Sequence, residues 1–319
     1  MAEFVFATCL PGIESGLKLD VARARPELRF AYSRPGLVTF KSPRAVAPED
    51  PPGTPFARVW GRSVGAADDP VVAASLLAPY AVDRVHVFAR DADEPAELLL
   101  QWRGLGASGP ARDGELVADV VVGPAGEPAW LGLHRHDASR VAYPGGAIPV
   151  EVPADAPSRA FAKLEEAIGW ARLPIVAGQV ALDIGAAPGG AAMALARRGV
   201  EVWAVDTGAL APQVLALPNV HHVAKKVGAL RWEELPARID WLLVDVNLAP
   251  QVALHEVARL MPKLKATLGG AVLTLKLNDW TFVGELPALV ERIRQMGFGE
   301  VGLKHLPSNR REICAVARR

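Results

Sequence analysis

The stretch LDIGAAPGG at residues 182–190 decides the fold of this chain. Its apolar first half is typical of a buried strand, and its Gly- and Pro-rich second half of a tight loop that opens a helix. Gly185 leaves space for a ligand beside the backbone, while Gly189 and Gly190 free the turn and let the helix pack close to the strand. The stretch therefore predicts the first strand, loop and helix of a nucleotide-binding α/β domain.

An acidic residue follows at the distance that such a domain requires. Asp206 ends the next predicted strand, VEVWAVD at residues 200–206, and lies 21 residues after Gly185. A carboxylate at that place accepts hydrogen bonds from the hydroxyls of an adenosine ribose. A glycine-rich loop after a strand is also compatible with an ordinary strand-to-helix turn, so the rest of the chain has to decide between the two.

Residues 180–319 alternate predicted strands and helices. Segments rich in Val, Leu and Ile with helices between them predict a Rossmann-like α/β domain, whose mostly parallel sheet is covered on both faces. REICAVA near the C-terminus is expected to pair antiparallel with EVGLKHL. Four charged residues close predicted strands: Asp183, Asp206, Asp245 and Lys276. Because ligands of open α/β sheets bind outside the carboxyl ends of the strands, these residues mark one rim of the sheet.

The front of the chain predicts a second unit. Residues 1–145 form a predicted small α+β domain, 146–157 a Pro- and Gly-rich linker and 158–319 the Rossmann-like domain. In the first unit, strands are expected at 3–8 and 36–41, with a helix between them that ends near Pro26, and later segments predict a helix in DPVVAASLLAPYA and strands in RVHVFAR, LVADVVVG and PAWLGLHRH. His134 and His136 alternate in the last of these strands, and we interpret them as exposed edge residues.

Composition sets bounds on the partners. Half of the 319 residues are hydrophobic and the formal charge is zero, which indicates a globular protein. The part up to Val150 has 15 basic and 18 acidic residues, and the remainder has 20 basic and 17 acidic residues, a net charge of +3 that is compatible with a polyanionic partner. Two cysteines, Cys9 and Cys314, provide neither a disulfide framework nor a zinc site, so no metal is expected. With no signal peptide or membrane-spanning stretch in the sequence, we expect a cytoplasmic protein.

Lys163 is ambiguous when judged from spacing alone. It lies in the first turns of a predicted helix, RAFAKLEEAIGWARL, with Ser158 as the expected N-cap. A solvated lysine that pairs with Glu165 or Glu166 on the same helix is the simpler interpretation.

Five segments together resemble the FtsJ-type S-adenosylmethionine-dependent ribose 2′-O-methyltransferases: PADAPSRAFAKLEEA at 153–167, LDIGAAPGG at 182–190, LLVDVN at 242–247, TLKLN at 274–278 and NRREICAVARR at 309–319. The family holds the reacting ribose with a Lys-Asp-Lys-Glu tetrad. The matching residues here are Lys163, Asp245, Lys276 and Glu312. LPGIESGLKLDV and FARVWGRSVG also resemble ferredoxin-like and THUMP regions that precede the catalytic domain in one member of the family.

The resemblance implies a cofactor, a substrate and the residues that bind them. S-adenosyl-L-methionine is the implied cofactor, RNA is the implied substrate, and a cytidine of 23S ribosomal RNA is the target by analogy. The implied cofactor-binding residues are Gly185, Ala186, Ala187, Pro188, Gly189, Gly190, Asp206 and Asp245. Candidate phosphate contacts are Arg159, Arg310 and Arg311, followed by Arg197 and Arg198. Ala191 departs from the family pattern because an aromatic residue usually follows the glycines, and Lys225 or Lys226 stands where an acid usually contacts the adenine.

The resemblance assigns the general base of methyl transfer to Lys276. A ribose hydroxyl is a poor nucleophile at neutral pH, and a base that takes its proton as the bond forms adds roughly 10² to 10⁴ fold to the rate. We expect Lys163 and partial burial to loosen the proton of Lys276. Two alternatives stay open, a methyltransferase of another RNA such as transfer RNA and a non-catalytic RNA-binding protein on the same scaffold. A nicotinamide enzyme is disfavoured because the loop lacks GxGxxG.

Overall fold

A computed structural model describes residues 3–91 and 97–319 of the chain. The contacts between residues divide it into two compact units, Met1–Ile148 and Pro149–Arg319. Each unit has its own sheet.

The N-terminal unit is an α+β structure. Its elements are β1 Glu3–Thr8, α1 Glu14–Ala24, β2 Arg29–Arg34, β3 Leu37–Ser42, β4 Val59–Ala67, α2 Pro70–Leu77, β5 Arg84–Ala89, α3 Glu97–Leu100, β6 Leu116–Val122 and β7 Ala129–Arg135. The strands that the structure describes here form one sheet in the order β2-β3-β1-β4-β7-β6-β5. Helices α1 and α2 bury Leu17, Val21, Ala73 and Leu77.

Two strands of this unit were not predicted, β2 and β4. β2 lies at the edge of the sheet and its residues are exposed except Ser33, which is half-buried. It therefore lacks the alternation of apolar and polar residues that identifies a half-buried strand. In β4, Val59, Trp60 and Gly61 are buried in succession, which also breaks the alternation.

The prediction that His134 and His136 are exposed was wrong. β7 lies inside the sheet, between β4 and β6, and the two histidines are 4% and 2% exposed. Nδ1 of His134 lies 2.5 Å from Oδ2 of Asp119, a fully buried carboxylate of β6. A strand with neighbours on both edges buries polar residues that sequence alone assigns to the surface, and here a carboxylate on the adjacent strand provides the hydrogen bond.

The C-terminal unit is an α/β structure with a mixed sheet. Its elements are α4 Ala160–Ala171, β8 Val180–Ile184, α5 Gly190–Arg197, β9 Glu201–Val205, α6 Pro212–Leu215, β10 Val220–Val223, β11 Trp241–Val244, α7 Pro250–Leu264, β12 Gly270–Lys276, α8 Leu286–Gln295, β13 Glu300–Lys304 and β14 Glu312–Arg318. The strand order is β10-β9-β8-β11-β12-β14-β13. β8 to β12 pair in parallel, and β14 pairs antiparallel with both β12 and β13. The predicted C-terminal hairpin is therefore present.

Both faces of this sheet are buried. Leu243 and Val272 pack with residues of α4 and α5 in one core, and their neighbours Leu242 and Leu273, which point to the opposite face, are about 1% exposed or less. Helices α7 and α8 pack against each other. Since β8, β9, β11 and β12 run parallel, their carboxyl ends meet at one rim, and the site lies there.

Candidate active site

Four charged side chains from separate elements converge at this rim. Lys163 lies in the first turn of α4, Asp245 follows β11, Lys276 ends β12 and Glu312 begins β14. In the antiparallel ladder of β12 and β14, Lys276 is the direct partner of Glu312. The sheet register therefore brings together two residues that are 36 positions apart in the sequence.

The two lysines and two carboxylates form a closed ring of ion pairs. Nζ of Lys276 donates hydrogen bonds of 2.7 Å to Oδ1 of Asp245 and 2.7 Å to Oε2 of Glu312. Nζ of Lys163 lies 3.0 Å from Oδ2 of Asp245 and also pairs with Oε1 of Glu312. The four side chains are between 8% and 25% exposed. The ring is thus charge-balanced and partly shielded from solvent.

The ring strengthens the hold of Lys276 on its proton. Burial lowers the pKa of Lys276, but the hydrogen bonds and charges of Asp245 and Glu312 outweigh burial, and the net pKa lies above the ordinary value. Burial raises the pKa of each carboxylate, and the two lysines outweigh it and hold both pKa values below the ordinary range. The expectation of a loosely held proton on Lys276 is therefore wrong for this state of the protein. The sequence did not show that both carboxylates contact Nζ of Lys276.

Lys163 is not a solvated helix residue. The two acids suggested as its helix partners are engaged elsewhere, Glu165 with Arg198 and Glu166 with the backbone and hydroxyl of Ser308. The helix begins at Ala160, and Arg159 before it makes no capping bond. Ser158, the expected N-cap, lies one residue before the observed N-cap position. Its Oγ accepts a 3.3 Å hydrogen bond from the Ala160 backbone N–H.

A cavity of ≈ 670 Å³ opens beside the ring, between the carboxyl ends of β8, β9 and β11. Its lining includes Gly185, Ala187, Asp206, Lys225, Lys226 and Asp245. Gly185 has a φ of +83°, and a Cβ atom there would lie 2.3 Å from the carbonyl oxygen of Asp245. Glycine is therefore required at this place both by backbone conformation and by the close approach of the two strand ends.

Asp206 is held in a fixed orientation at the cavity. Its Oδ2 accepts a hydrogen bond of 3.0 Å from the Ala187 N–H, and its Oδ1 one of 2.8 Å from the Gly208 N–H. Each carboxylate oxygen keeps further acceptor capacity, so the ribose hydroxyls of an adenosine fit here. Lys225 lines the same cavity but pairs with Glu234.

The remaining glycines of the loop serve packing between helices. Gly189 adopts a φ of +111° immediately before α5. A Cβ atom on Gly190 would lie 2.4 Å from Oγ of Ser158 and 2.8 Å from the backbone nitrogen of Phe161. Gly190 therefore allows α4, which carries Lys163, to lie against the loop. Ala186 and Pro188, also expected at the cofactor, belong to the same turn.

Asp183 is a functional candidate that sequence reasoning did not assign. It is 2% exposed, and its Oδ2 has no hydrogen-bond partner among the residues described. Burial, followed by the charges of Asp245 and Asp206, raises its pKa to about 7. Asp183 lines a second, smaller cavity with Lys163, Ala191, Asp245, Asn309 and Cys314. The sequence contains a signal for this role, because Asp183 is an acidic residue within a predicted buried strand of apolar residues.

Asp245 lines both cavities. An adenosine fits the larger cavity beside Asp206, whereas the smaller cavity of ≈ 30 Å³ has room for about one water molecule. The larger cavity therefore fits the adenosine part of S-adenosyl-L-methionine. Ala191 at the smaller cavity supplies no aromatic contact to it.

The candidate phosphate contacts divide into two groups. Arg159, Arg310 and Arg311 are exposed and make no ion pair with the residues that the structure describes. Arg197 instead pairs with Asp155 at 2.8 Å, and Arg198 pairs with Glu165. The first three arginines remain candidates for RNA, while the other two already have acidic partners.

Neither a metal cluster nor a membrane segment is found where the structure describes the chain. Residues 3–91 and 97–319 contain no group of three or more His, Cys, Asp or Glu side chains placed to hold a metal ion. Within the same ranges, no helix has the length and hydrophobicity to cross a membrane. Cys9 and Cys314 are buried free thiols.

Residues 156–307, the greater part of the C-terminal unit, match the FtsJ-like methyltransferase family. The C-terminal unit belongs to this family, and its mixed sheet is the α/β methyltransferase fold predicted from the sequence. The cofactor of such a domain is S-adenosyl-L-methionine, as the sequence also predicted.

The chain is similar to proteins named Ribosomal RNA large subunit methyltransferase M. It is 37% identical to the one from Alkalilimnicola ehrlichii over 188 residues, which are 55% of this chain and 49% of the relative. It is 31% identical to the one from an Azoarcus species over 241 residues, or 72% of this chain and 63% of the relative. The match thus spans about half the length of the first relative and less than two thirds of the second.

Proposed function

We propose that this protein transfers the methyl group of S-adenosyl-L-methionine to a ribose 2′-hydroxyl of RNA, with a cytidine of 23S ribosomal RNA as the first candidate target. The observation that supports this most is the ring of Lys163, Asp245, Lys276 and Glu312 beside the adenosine-sized cavity. The names of the relatives support ribosomal RNA as the substrate.

The geometry supports an in-line displacement at the methyl carbon of the cofactor, next to Asp245. The cofactor supplies an electrophilic methyl group on a positively charged sulfur. Gly185 and Asp206 position its adenosine. The hydroxyl to be methylated enters from the opposite side, where the ring lies, so that oxygen, methyl carbon and sulfur are aligned before reaction.

Lys276 accepts the proton of the 2′-hydroxyl at Nζ in this proposal. To do so it must first lose its own proton, which Asp245 and Glu312 stabilise in the state described. When Asp245 also faces a bound positive charge, it stabilises the ammonium less, and the pKa of Lys276 falls towards the range that a general base needs. Lys163 keeps Asp245 and Glu312 in place as this happens.

We also propose that the N-terminal unit is an RNA-binding region related to ferredoxin-like and THUMP domains. Its α+β architecture is compatible with this relationship, and the relatives extend beyond the methyltransferase domain as well. In this proposal the unit holds structured RNA and presents one nucleotide to the C-terminal unit.

The direct test is methyl transfer from labelled S-adenosyl-L-methionine to unmodified ribosomal RNA and, in parallel, to transfer RNA. Nuclease digestion and mass spectrometry then distinguish a 2′-O-methyl nucleoside from a methylated base. Lys276→Ala should lower the rate by roughly 10² fold or more. Lys263→Ala, a half-buried lysine of α7 outside both cavities, is the matched control and should retain the parent rate.

The outcomes are distinct. Equal rates for Lys276→Ala and the parent would exclude Lys276 as the base. If the parent transfers no methyl group to either RNA yet binds the cofactor, the proposed reaction is wrong and the alternative of a non-catalytic RNA-binding protein gains support.

A further inference from the structure

The edge of the N-terminal sheet carries a surface that the proposed reaction does not use. We call it the β2 rim and define it by two aromatic residues, Phe30 and Tyr32, and four cations, Lys18, Arg29, Arg34 and Lys41. Phe30 is 56% exposed and Tyr32 is 37% exposed. They are the only exposed Phe, Tyr or Trp residues among the side chains that the structure describes.

A β-bulge places these two rings on opposite sides of the edge strand. Phe30 pairs with Phe40 and Tyr32 with Thr39, and the register shifts between Phe30 and Tyr32. Because Phe40 and Thr39 are consecutive in β3, they point to opposite faces of the sheet. The two aromatic rings therefore flank the outermost strand on both of its sides.

One face of the Tyr32 ring packs against another aromatic side chain. It stacks on Trp130 of β7, with ring centroids 5.9 Å apart and an angle of 13° between the planes. Trp130 is itself fixed, since its Nε1–H donates a 3.0 Å hydrogen bond to Oγ of Ser63 and its ring packs on a buried cluster that contains Phe6. A ring held in this way is a preorganised stacking surface.

A positively charged side chain lies close to each of the two aromatic rings. The guanidinium of Arg34 lies 5.1 Å from the centroid of Tyr32, and Nζ of Lys18 lies 5.1 Å from the centroid of Phe30. None of the four rim cations forms an ion pair with any residue in the described ranges. In contrast, nearby Arg23 and Arg25 both pair with acids.

The local charge is strongly one-sided. Between Glu27 and Glu49 the sequence contains Arg29, Arg34, Lys41 and Arg44 and no acidic residue. The part of the chain up to Val150 otherwise has more acidic than basic residues, 18 against 15. The β2 rim is thus a positive segment on a unit with an overall negative charge, and it complements a polyanion.

We propose that the β2 rim binds an unpaired RNA strand, with bases stacked on Phe30 and Tyr32 and phosphates contacted by Arg29, Arg34, Lys18 and Lys41. Exposed aromatic rings bind the flat faces of bases only where the bases are unstacked, so single-stranded segments fit and duplexes do not. Addition of a protein strand to this edge is disfavoured by the bulge and by the cations along it. The inference rests on the proposed function only in taking RNA as the polymer.

The test is fluorescence anisotropy of a labelled 12-nucleotide single-stranded RNA and of a 12-base-pair RNA duplex with the full chain. The double variant Phe30→Ala/Tyr32→Ala should bind the single strand at least about 10-fold more weakly, since each base–aromatic stack contributes roughly 5- to 150-fold in affinity. Both residues lie on an exposed edge strand, so circular dichroism should show an unchanged fold. Val71→Ala, an apolar side chain on α2 that is 79% exposed, is the matched control and should bind like the parent.

The cations are tested separately. Arg34→Ala/Lys41→Ala should reduce the slope of log affinity against log salt by about 0.7 for each phosphate that the variant no longer neutralises. Arg112→Ala, an exposed arginine of the same unit outside the rim, should leave the slope unchanged.

Three results would overturn the inference. They are unchanged single-strand affinity in the aromatic double variant, absence of single-strand binding by the parent, and self-association of the parent that the double variant abolishes, which would assign the rim to a second copy of the chain. Calorimetry with S-adenosyl-L-methionine reports on the proposed function independently, because the rim variants should bind the cofactor like the parent. A parent that binds single-stranded RNA but no cofactor would refute the proposed reaction and leave the rim inference standing.

Discussion

The Nζ atom of Lys276 donates a 2.7 Å hydrogen bond to Oδ1 of Asp245. The proposed base is thus protonated in the state without substrate, and the carboxylate that stabilises its proton also lines the cofactor cavity. Any charge that binds beside Asp245 therefore changes the basicity of Lys276. This coupling is the basis of the first prediction.

Methyl transfer should accelerate with pH from neutral into the alkaline range. The pKa of Lys276 is raised above its ordinary value by Asp245 and Glu312, so the neutral base is scarce at pH 7 and its population rises about tenfold per pH unit. Glu312→Gln removes one of the two carboxylates and should move the pH–rate profile to lower pH by about 1 unit or more.

Single-turnover rates between pH 6 and 10 provide the measurement. Glu300→Gln on β13, which removes an exposed ion pair with Arg318 of β14, should leave the profile of the parent unchanged. A rate in the parent that does not change between pH 6 and 10 would contradict the role of Lys276.

Gly185→Ala should damage the active site, whereas Gly178→Ala should not. Both glycines have nearly the same left-handed φ, +83° and +81°, so each substitution carries a backbone cost of roughly 1–2 kcal/mol. At Gly185 the new Cβ would also lie 2.3 Å from the Asp245 carbonyl oxygen, while at Gly178 no atom lies within 4 Å.

We expect displacement of Asp245 in Gly185→Ala to lower the rate by about 10² fold. Gly178→Ala should lose some stability and keep its rate and its affinity for the cofactor. Thermal unfolding, calorimetry and single-turnover rates measured on both variants decide this, and similar rates in the two would show that the close approach at Gly185 is unimportant.

Asp183→Asn should stabilise the fold above neutral pH. Burial raises the pKa of Asp183 from 3.8 to about 7, so the folded protein holds this proton more tightly than the unfolded chain does. Stability of the parent should therefore fall as pH rises from about 4 through about 7, and the variant lacks this loss. At pH 8 we expect the Tm of the variant to exceed that of the parent by about 3 °C or more.

Thermal unfolding of the parent and of Asp183→Asn from about pH 4 to about pH 8 measures this difference. Asp155→Asn, an exposed acid paired with Arg197, serves as the control. Identical pH dependence of Tm in parent and Asp183→Asn would show that Asp183 does not titrate as we infer.

Arg310→Ala/Arg311→Ala should raise KM for RNA and leave cofactor affinity unchanged. Both arginines adjoin Glu312 of the ring, are exposed and form no ion pair in the described ranges. Removal of their phosphate interactions should reduce the salt dependence of binding by about 0.7 to 0.9 per phosphate. Arg197→Ala, whose arginine already pairs with Asp155, should have a smaller effect, and an equal effect would contradict the division between the two groups of arginines.

The sequence by itself determined the class of the C-terminal domain. Acidic residues at strand ends and the glycines of residues 185–190 are local patterns, and each reflects a constraint that acts within a few residues. The four charged residues of the ring were instead implied by the resemblance to the FtsJ-type methyltransferases. The helix around Lys163 and the antiparallel last strand followed from the same periodicity. These predictions needed no knowledge of which elements are neighbours.

Only the tertiary structure decided which charged groups are paired and how their pKa values and exposure change. Lys163 and Asp245 are 82 residues apart in sequence, and the bond between them exists because α4 packs against α5 and β14. Tertiary packing likewise raises the pKa of Lys276, buries His134 and pairs Arg197 with Asp155. A pKa or an exposure depends on every group within a few ångströms, and the sequence order does not specify those neighbours.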